Sequence, residues 1–108
     1  MTIQTPATVT AFIDTVNAHD ERGFLDSFAD SGFVDDWGRV FTGRAEIKAW
    51  SDKEFIGANG TMTVTEASVD GDTVTVIADW RSTHANGLSK FVFVVDGDEL
   101  ASMTIREG

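Results

Sequence analysis

The chain has 108 residues, no cysteine, and a formal net charge of −10 from 18 acidic and 8 basic residues. That length suits one domain, residues 1–108, and is short for two. A surface this acidic argues against nucleic acid and anionic membranes as partners, because both are held by Lys and Arg. Without cysteine there is no disulfide, thiol nucleophile or zinc–thiolate site.

No apolar run approaches the roughly 20 residues of a membrane helix. The first ten residues lack the basic start and apolar stretch of a signal peptide. A cytoplasmic protein is expected.

Pro6 is the only proline, and Thr5-Pro6 reads as an N-cap followed by a first helical turn. Behind it Val9, Phe12, Ile13 and Val16 recur at i, i+3, i+4 and i+7, one apolar helical stripe. The helix is expected to end near Asn17-Ala18-His19, where Asp20 caps a short second helix carrying Phe24, Leu25 and Phe28. A brief strand, Phe33 to Trp37, lies between Gly32 and Gly38. Thr42 or Gly43 opens a third helix with Ile47, Trp50 and Phe55 facing inward, closed by residues 57–60. The rest reads as sheet: Met62 to Val69, Thr73 to His84, Leu88 to Val95 and Leu100 to Ile105. The hairpin signals between them are Asp70-Gly71-Asp72, Asn86-Gly87 and Asp96-Gly97-Asp98. Helices first and hairpin-linked strands after is the α+β pattern, with the helices on one face of an antiparallel sheet.

Alternation sorts the faces. Val74, Val76, Ala78, Trp80, Ser82 and His84 share one side of the second long strand, a core stripe that turns polar at its far end and points to the mouth of a cavity. Thr75, Ile77, Asp79, Arg81 and Thr83 share the other, a mixed face rather than a fully polar one.

The strings AFIDTVNAHD (11–20), FADSGFVDDW (28–37), GRAEIKAW (43–50) and FVFVVDGDELASM (91–103), in this order and spacing, resemble the nuclear transport factor 2 (NTF2) superfamily, in its SnoaL-like branch. The resemblance implies a cone-shaped α+β fold, a curved sheet and three helices enclosing a pocket, and frequent homodimers. It also implies a scaffold shared by ketosteroid isomerases, polyketide cyclases, epoxide hydrolases, dehydratases and non-catalytic binding modules, so fold alone leaves function open. Ketosteroid isomerase uses a carboxylate base and two acidic hydrogen-bond donors. The segment FADSGFVDD is similar to the one carrying its base, which falls on Asp36. Phe12 and Phe91 stand where the donors would be, so that isomerisation mechanism is not expected here.

In a strand, Asp35 and Asp36 point to opposite faces, so one of them enters the pocket; the resemblance selects Asp36. A carboxylate against Phe and Trp side chains loses solvation, which makes it a stronger base. The competing reading is that Asp36 caps a turn or pairs with Arg39 or Arg44 at the rim. His84, at the end of the pocket-facing stripe, is a second catalytic candidate, as donor or proton shuttle; a solvated histidine beside a hairpin turn is the plainer reading. His19 reads as structural. Trp50, Phe55, Trp80, Phe91 and Met103 are candidates to line an apolar pocket for a small hydrophobic molecule, against the alternative that they fill the core. The two histidines are far apart and no HxH or HExxH pattern is present, so no metal site is expected, and no nucleotide motif implies a cofactor.

The expectation is a cofactor-independent isomerase, cyclase or lyase with an Asp general base. The alternative is a non-catalytic ligand-binding or dimeric interaction module. A desolvated Asp36 in an open cavity favours the first, and an Asp36 ion-paired at the rim favours the second.

Overall fold

A computed structural model describes residues 5–108, so the first four residues of the stretch considered for a leader lie outside it. Among the described residues, α1 (Ala7–Asn17) and α2 (Glu21–Asp26) precede the first strand, β1 (Phe28–Asp36), and its hairpin partner β2 (Arg39–Thr42). Helix α3 (Gly43–Glu54) and a 3-10 turn (Ile56–Ala58) lead into four long strands, β3 (Thr61–Asp70), β4 (Thr73–Arg81), β5 (Gly87–Asp96) and β6 (Glu99–Glu107). No helix among them is long and apolar enough to cross a membrane.

The apolar stripe of α1 packs as its spacing predicts: Val9, Phe12, Ile13 and Val16 are all buried. Pro6 rather than Thr5 holds the cap position, without a side-chain cap bond. Asp20 does cap α2, accepting the Gly23 N–H at 3.1 Å. Phe28 opens β1 instead of closing α2. Phe12, Phe24, Phe28 and Phe93 meet at centroid distances of 5.4–5.6 Å, mostly edge to face. Each such ring buried from water contributes about 1.5–3 kcal/mol, and this cluster fixes α1 and α2 on the sheet.

The strand order is β2-β1-β6-β5-β4-β3. The sheet is mixed: β1 runs parallel to β6, and the other neighbours are antiparallel. Tight hairpins join β3 to β4 and β5 to β6 as their Asp-Gly signals require, with Gly71 and Gly97 at φ 62° and 64°. The expected Asn86-Gly87 turn is instead a loop over residues 82–86, and Gly87 already lies in β5 opposite Trp80. The parallel pair arises because β1 enters from the helices and docks beside the last strand, a pairing of residues 28–36 with 100–105 that no local turn signal announces.

One row of residues crosses the inner face from strand to strand: Asp36 opposite Ile105, Ile105 opposite Phe91, Phe91 opposite Val76. Asp36 is the polar end of that otherwise apolar row.

Candidate active site

The period-2 alternation of β1 sends its two aspartates apart. Asp35 turns to the outer face, where Nη1 and Nη2 of Arg106 donate to it at 3.1 and 3.2 Å and the Gly38 N–H donates to it at 2.8 Å. Arg106 first, and Gly38 second, hold the Asp35 carboxyl below its ordinary value against the opposing effect of burial. Asp36 turns inward, and its side chain keeps 13% of its exposure.

Asp36 is not alone there. Its Oδ2 accepts from the Trp50 indole N–H at 3.0 Å and from Arg39 Nη2 at 2.5 Å. Arg39 also donates from Nη1 and Nη2 to Glu54 at 3.0 and 2.7 Å, and Glu54 Oε1 lies 3.1 Å from His84 Nε2. The result is a connected polar chain, Asp36–Arg39–Glu54–His84. Its Arg39 hydrogen bond, ahead of the opposing burial, holds the Glu54 carboxyl below its ordinary value, with a smaller contribution from His84. Arg44, the other rim candidate, is committed elsewhere: it donates to the Leu25 and Phe28 carbonyls and to Asp30.

Behind the charges stands a stack of rings. Phe41 lies on Trp50 at 5.9 Å, Trp50 on Phe55 at 4.8 Å and Phe55 on Trp80 at 4.4 Å, with interplanar angles of 25°, 27° and 13°. Phe91 sits beyond Trp80 at 6.1 Å. Gly60 makes room for this stack, since a Cβ there would lie 2.0 Å from the Trp80 ring. The stack from Trp50 onward and the polar chain together border a partly open hollow of about 150 Å³, lined also by Trp37, Ala85, Ser89 and Ile105.

Of the residues proposed from sequence, Asp36, His84, Trp50, Phe55, Trp80 and Phe91 all border this hollow. Met103 does not: it is fully buried one step deeper, paired with Phe93 and Val34 across the sheet. His84 arrives by another route than the strand stripe. β4 stops at Arg81, because Ser82 accepts the His84 and Ala85 N–H groups on its hydroxyl and donates to the Ala85 carbonyl, closing a local turn. Two bonds from Thr83 to the Ala58 carbonyl then tie this loop to the 3-10 turn. His19, at φ 54°, has Nε2 3.0 Å from the Gly60 carbonyl and lies outside the hollow. Phe12 is sealed in the core cluster, and Phe91 offers no donor.

Glu54 was not singled out from sequence, although it continues the α3 stripe Ile47, Trp50, Ser51 at i+7 and so faces the same way. Among the described residues no three His, Cys, Asp or Glu side chains converge so as to hold a metal ion.

The SnoaL-like domain family matches residues 9–108. No curated protein matches the sequence. Among solved structures, the chain is similar to SalBIII, described as an epoxide hydrolase/cyclase-like enzyme of pyran ring formation in the polyether salinomycin, at TM-score 0.84 and 20% identity over 94% of this chain and 88% of that one. It is similar to an NTF2-like protein from Cytophaga hutchinsonii at TM-score 0.82, with 14% identity over 98% and 91% of the two chains. A protein of ketosteroid isomerase-like fold from Catenulispora acidiphila, solved with trimethylamine, matches at TM-score 0.77 and 24% identity over 97% and 88%. At these identities the likeness shows the fold.

Proposed function

The chain belongs to the SnoaL-like domain family, and on that premise we propose that its hollow takes a small hydrophobic molecule on which Asp36 acts as general base, in a cofactor-independent isomerase, cyclase or lyase reaction. The observation that carries this reading is the asymmetry of the Asp36 carboxylate. Trp50 and Arg39 both bond to Oδ2, while no hydrogen bond among the described residues engages Oδ1. One oxygen is thereby oriented and the other keeps its lone pairs, as a positioned base requires. The base is flanked by a cation, so negative charge developing on a substrate oxygen has Arg39 beside it. That is a different provision from the two donors that Phe12 and Phe91 do not supply. The cyclase-like description of one structural relative supports the reaction class, and the small molecule bound to another supports a ligand at this fold. The volume sets the size: about 150 Å³ is what a single benzene-sized ring occupies in a dry protein cavity.

A second reading rests on the same ion pair. Arg39 holds Asp36 in the rim ion pair that favours the non-catalytic alternative, and a ligand-binding module needs nothing more than the aromatic wall. The two separate experimentally. Single-ring ketones and epoxides are screened for turnover by mass-resolved product analysis, and for binding by tryptophan emission. Under the enzyme reading Asp36→Asn loses at least a hundredfold in kcat and still binds, whereas Trp80→Ala loses binding. Saturable binding without turnover of any compound, unaffected by Asp36→Asn, supports the module instead. The proposed working form is a two-fold homodimer through the outer sheet face.

A further inference from the structure

β1 and β2 are joined by the two residues Trp37 and Gly38, since Asp36 pairs with Arg39 across the ladder. Both are at positive φ, 55° and 91°, the signature of a type I′ turn, whose first position favours Asn, Asp or Gly. A tryptophan in that conformation is an outlier. The packing gives no compensation, because Trp37 is 60% exposed. The turn is nevertheless held in place, its Trp37 N–H donating to the Ile105 carbonyl at 3.3 Å. Backbone strain of this kind clusters at active sites, ligand clamps and switch regions.

What Trp37 faces supports that. It borders the inner hollow and also a second, outer one of about 520 Å³, whose wall includes Trp80, Ser89, Leu88 and Glu107. Trp37, Trp80, Ala85 and Ser89 are common to both, so the two hollows adjoin. Leu88, 51% exposed, is a second apolar side chain of the outer wall. The inner hollow alone is smaller than the ~300–1,000 Å³ of ordinary ligand sites, and the two together fall within that range.

We propose that Trp37 is a specificity-determining residue of an outer subsite, and that the ligand has two parts: a single-ring head in the inner hollow and a flat, apolar extension lying against Trp37 and Leu88. This rests on the reading of the inner hollow as the binding site for the head. The extension is neutral or cationic, since Glu107 on the outer wall and the net charge of −10 both oppose an anionic tail. An aromatic extension suits the site best, as a flat ring stacks on an indole face.

The test is calorimetric titration of the full chain with cyclohexanone, 4-phenylcyclohexanone and 4-(4-carboxyphenyl)cyclohexanone. The wild type is expected to bind the phenyl compound at least tenfold more tightly than the head alone, and the carboxylate more weakly than the phenyl compound. Trp37→Asn places the favoured residue in the turn, so its melting temperature should equal or exceed the wild type's. In that variant the phenyl advantage should fall below threefold, and Leu88→Ser should reduce it as well. A wild type that binds both neutral compounds equally, or a Trp37→Asn protein that keeps the tenfold advantage, overturns the outer subsite while leaving the inner site standing. Binding of neither compound overturns the inner site and this proposal together. A Trp37→Asn variant whose sole change is weaker self-association assigns Trp37 to a contact between copies and also overturns it.

Discussion

Arg39 bonds to both inward carboxylates of the site, and the two depend on it differently. Glu54 receives two of its N–H groups and Asp36 one; these carboxylates in turn, Glu54 foremost, raise the guanidinium's own pKa. Because the folded pKa of Glu54 is depressed, its stabilising contribution is present above the unfolded value of 4.5 and is lost as pH falls through the folded one. The Glu54 side chain is 18% exposed but Arg39 is 53% exposed, so solvent screens the pair and it ranks at the upper end of surface bridges, on the order of 1 kcal/mol. Glu54→Gln should therefore melt about 5 °C below the wild type at pH 7, with the gap closing below about pH 4. Thermal melts from pH 3 to 8 check this, and a gap independent of pH would remove the ionic explanation. Asp36→Asn is expected to be destabilised at pH 7 too, because Arg39 supplies the cationic partner that an unaccompanied base would lack.

At the level of elements, the site depends on how closely α3 and the turn after it approach β4. The stack from Phe41 to Trp80 crosses that approach, and Gly60 is the point where backbone meets ring. Gly60→Ala forces Trp80 out of the stack and into the hollow. We expect a loss of about 2 kcal/mol or more, within the range for overpacked cores, and weaker ligand binding. The readouts are urea melts and the near-ultraviolet circular dichroism of the indoles. Unchanged melts and spectra would mean that the stack yields freely. Much of this arrangement was legible beforehand: the α1 stripe, the opposed aspartates of FVDD and the Asp-Gly hairpins are all local patterns of spacing. β2 was missed because Arg39–Thr42 is too short to show alternation. His84 was placed on a strand that Ser82 ends by bonding its own neighbours. The Arg39–Glu54 bridge joins a hairpin to a helix end fifteen residues on, and periodicity within one element carries no sign of it.

Across the whole molecule, the outer sheet face sets the next expectation. Thr75, Val92 and Thr104 form one row across it, and Ile77, Lys90 and Arg106 the next; Phe33 and Val94 beside them are each more than a third exposed. A mixed face of this kind suits a two-fold, self-complementary interface. Sedimentation equilibrium at micromolar concentration should report a dimer, and Val92→Glu a monomer; a monomeric wild type ends that proposal. The parallel pairing of β1 with β6 has a consequence in time. Asp36 is set beside Ile105, and residue 28 beside residue 100. A ribosome adding roughly 5–20 residues per second leaves β1 without its β6 neighbour for several seconds. Until β6 emerges, the nascent chain has helices and hairpins but an incomplete hollow, with β1 open to pairing with other chains. The long sequence separation of this pairing then slows the closing step. The candidate site is therefore completed only once β6 has been made, and truncation within β6 is expected to remove it along with the strand.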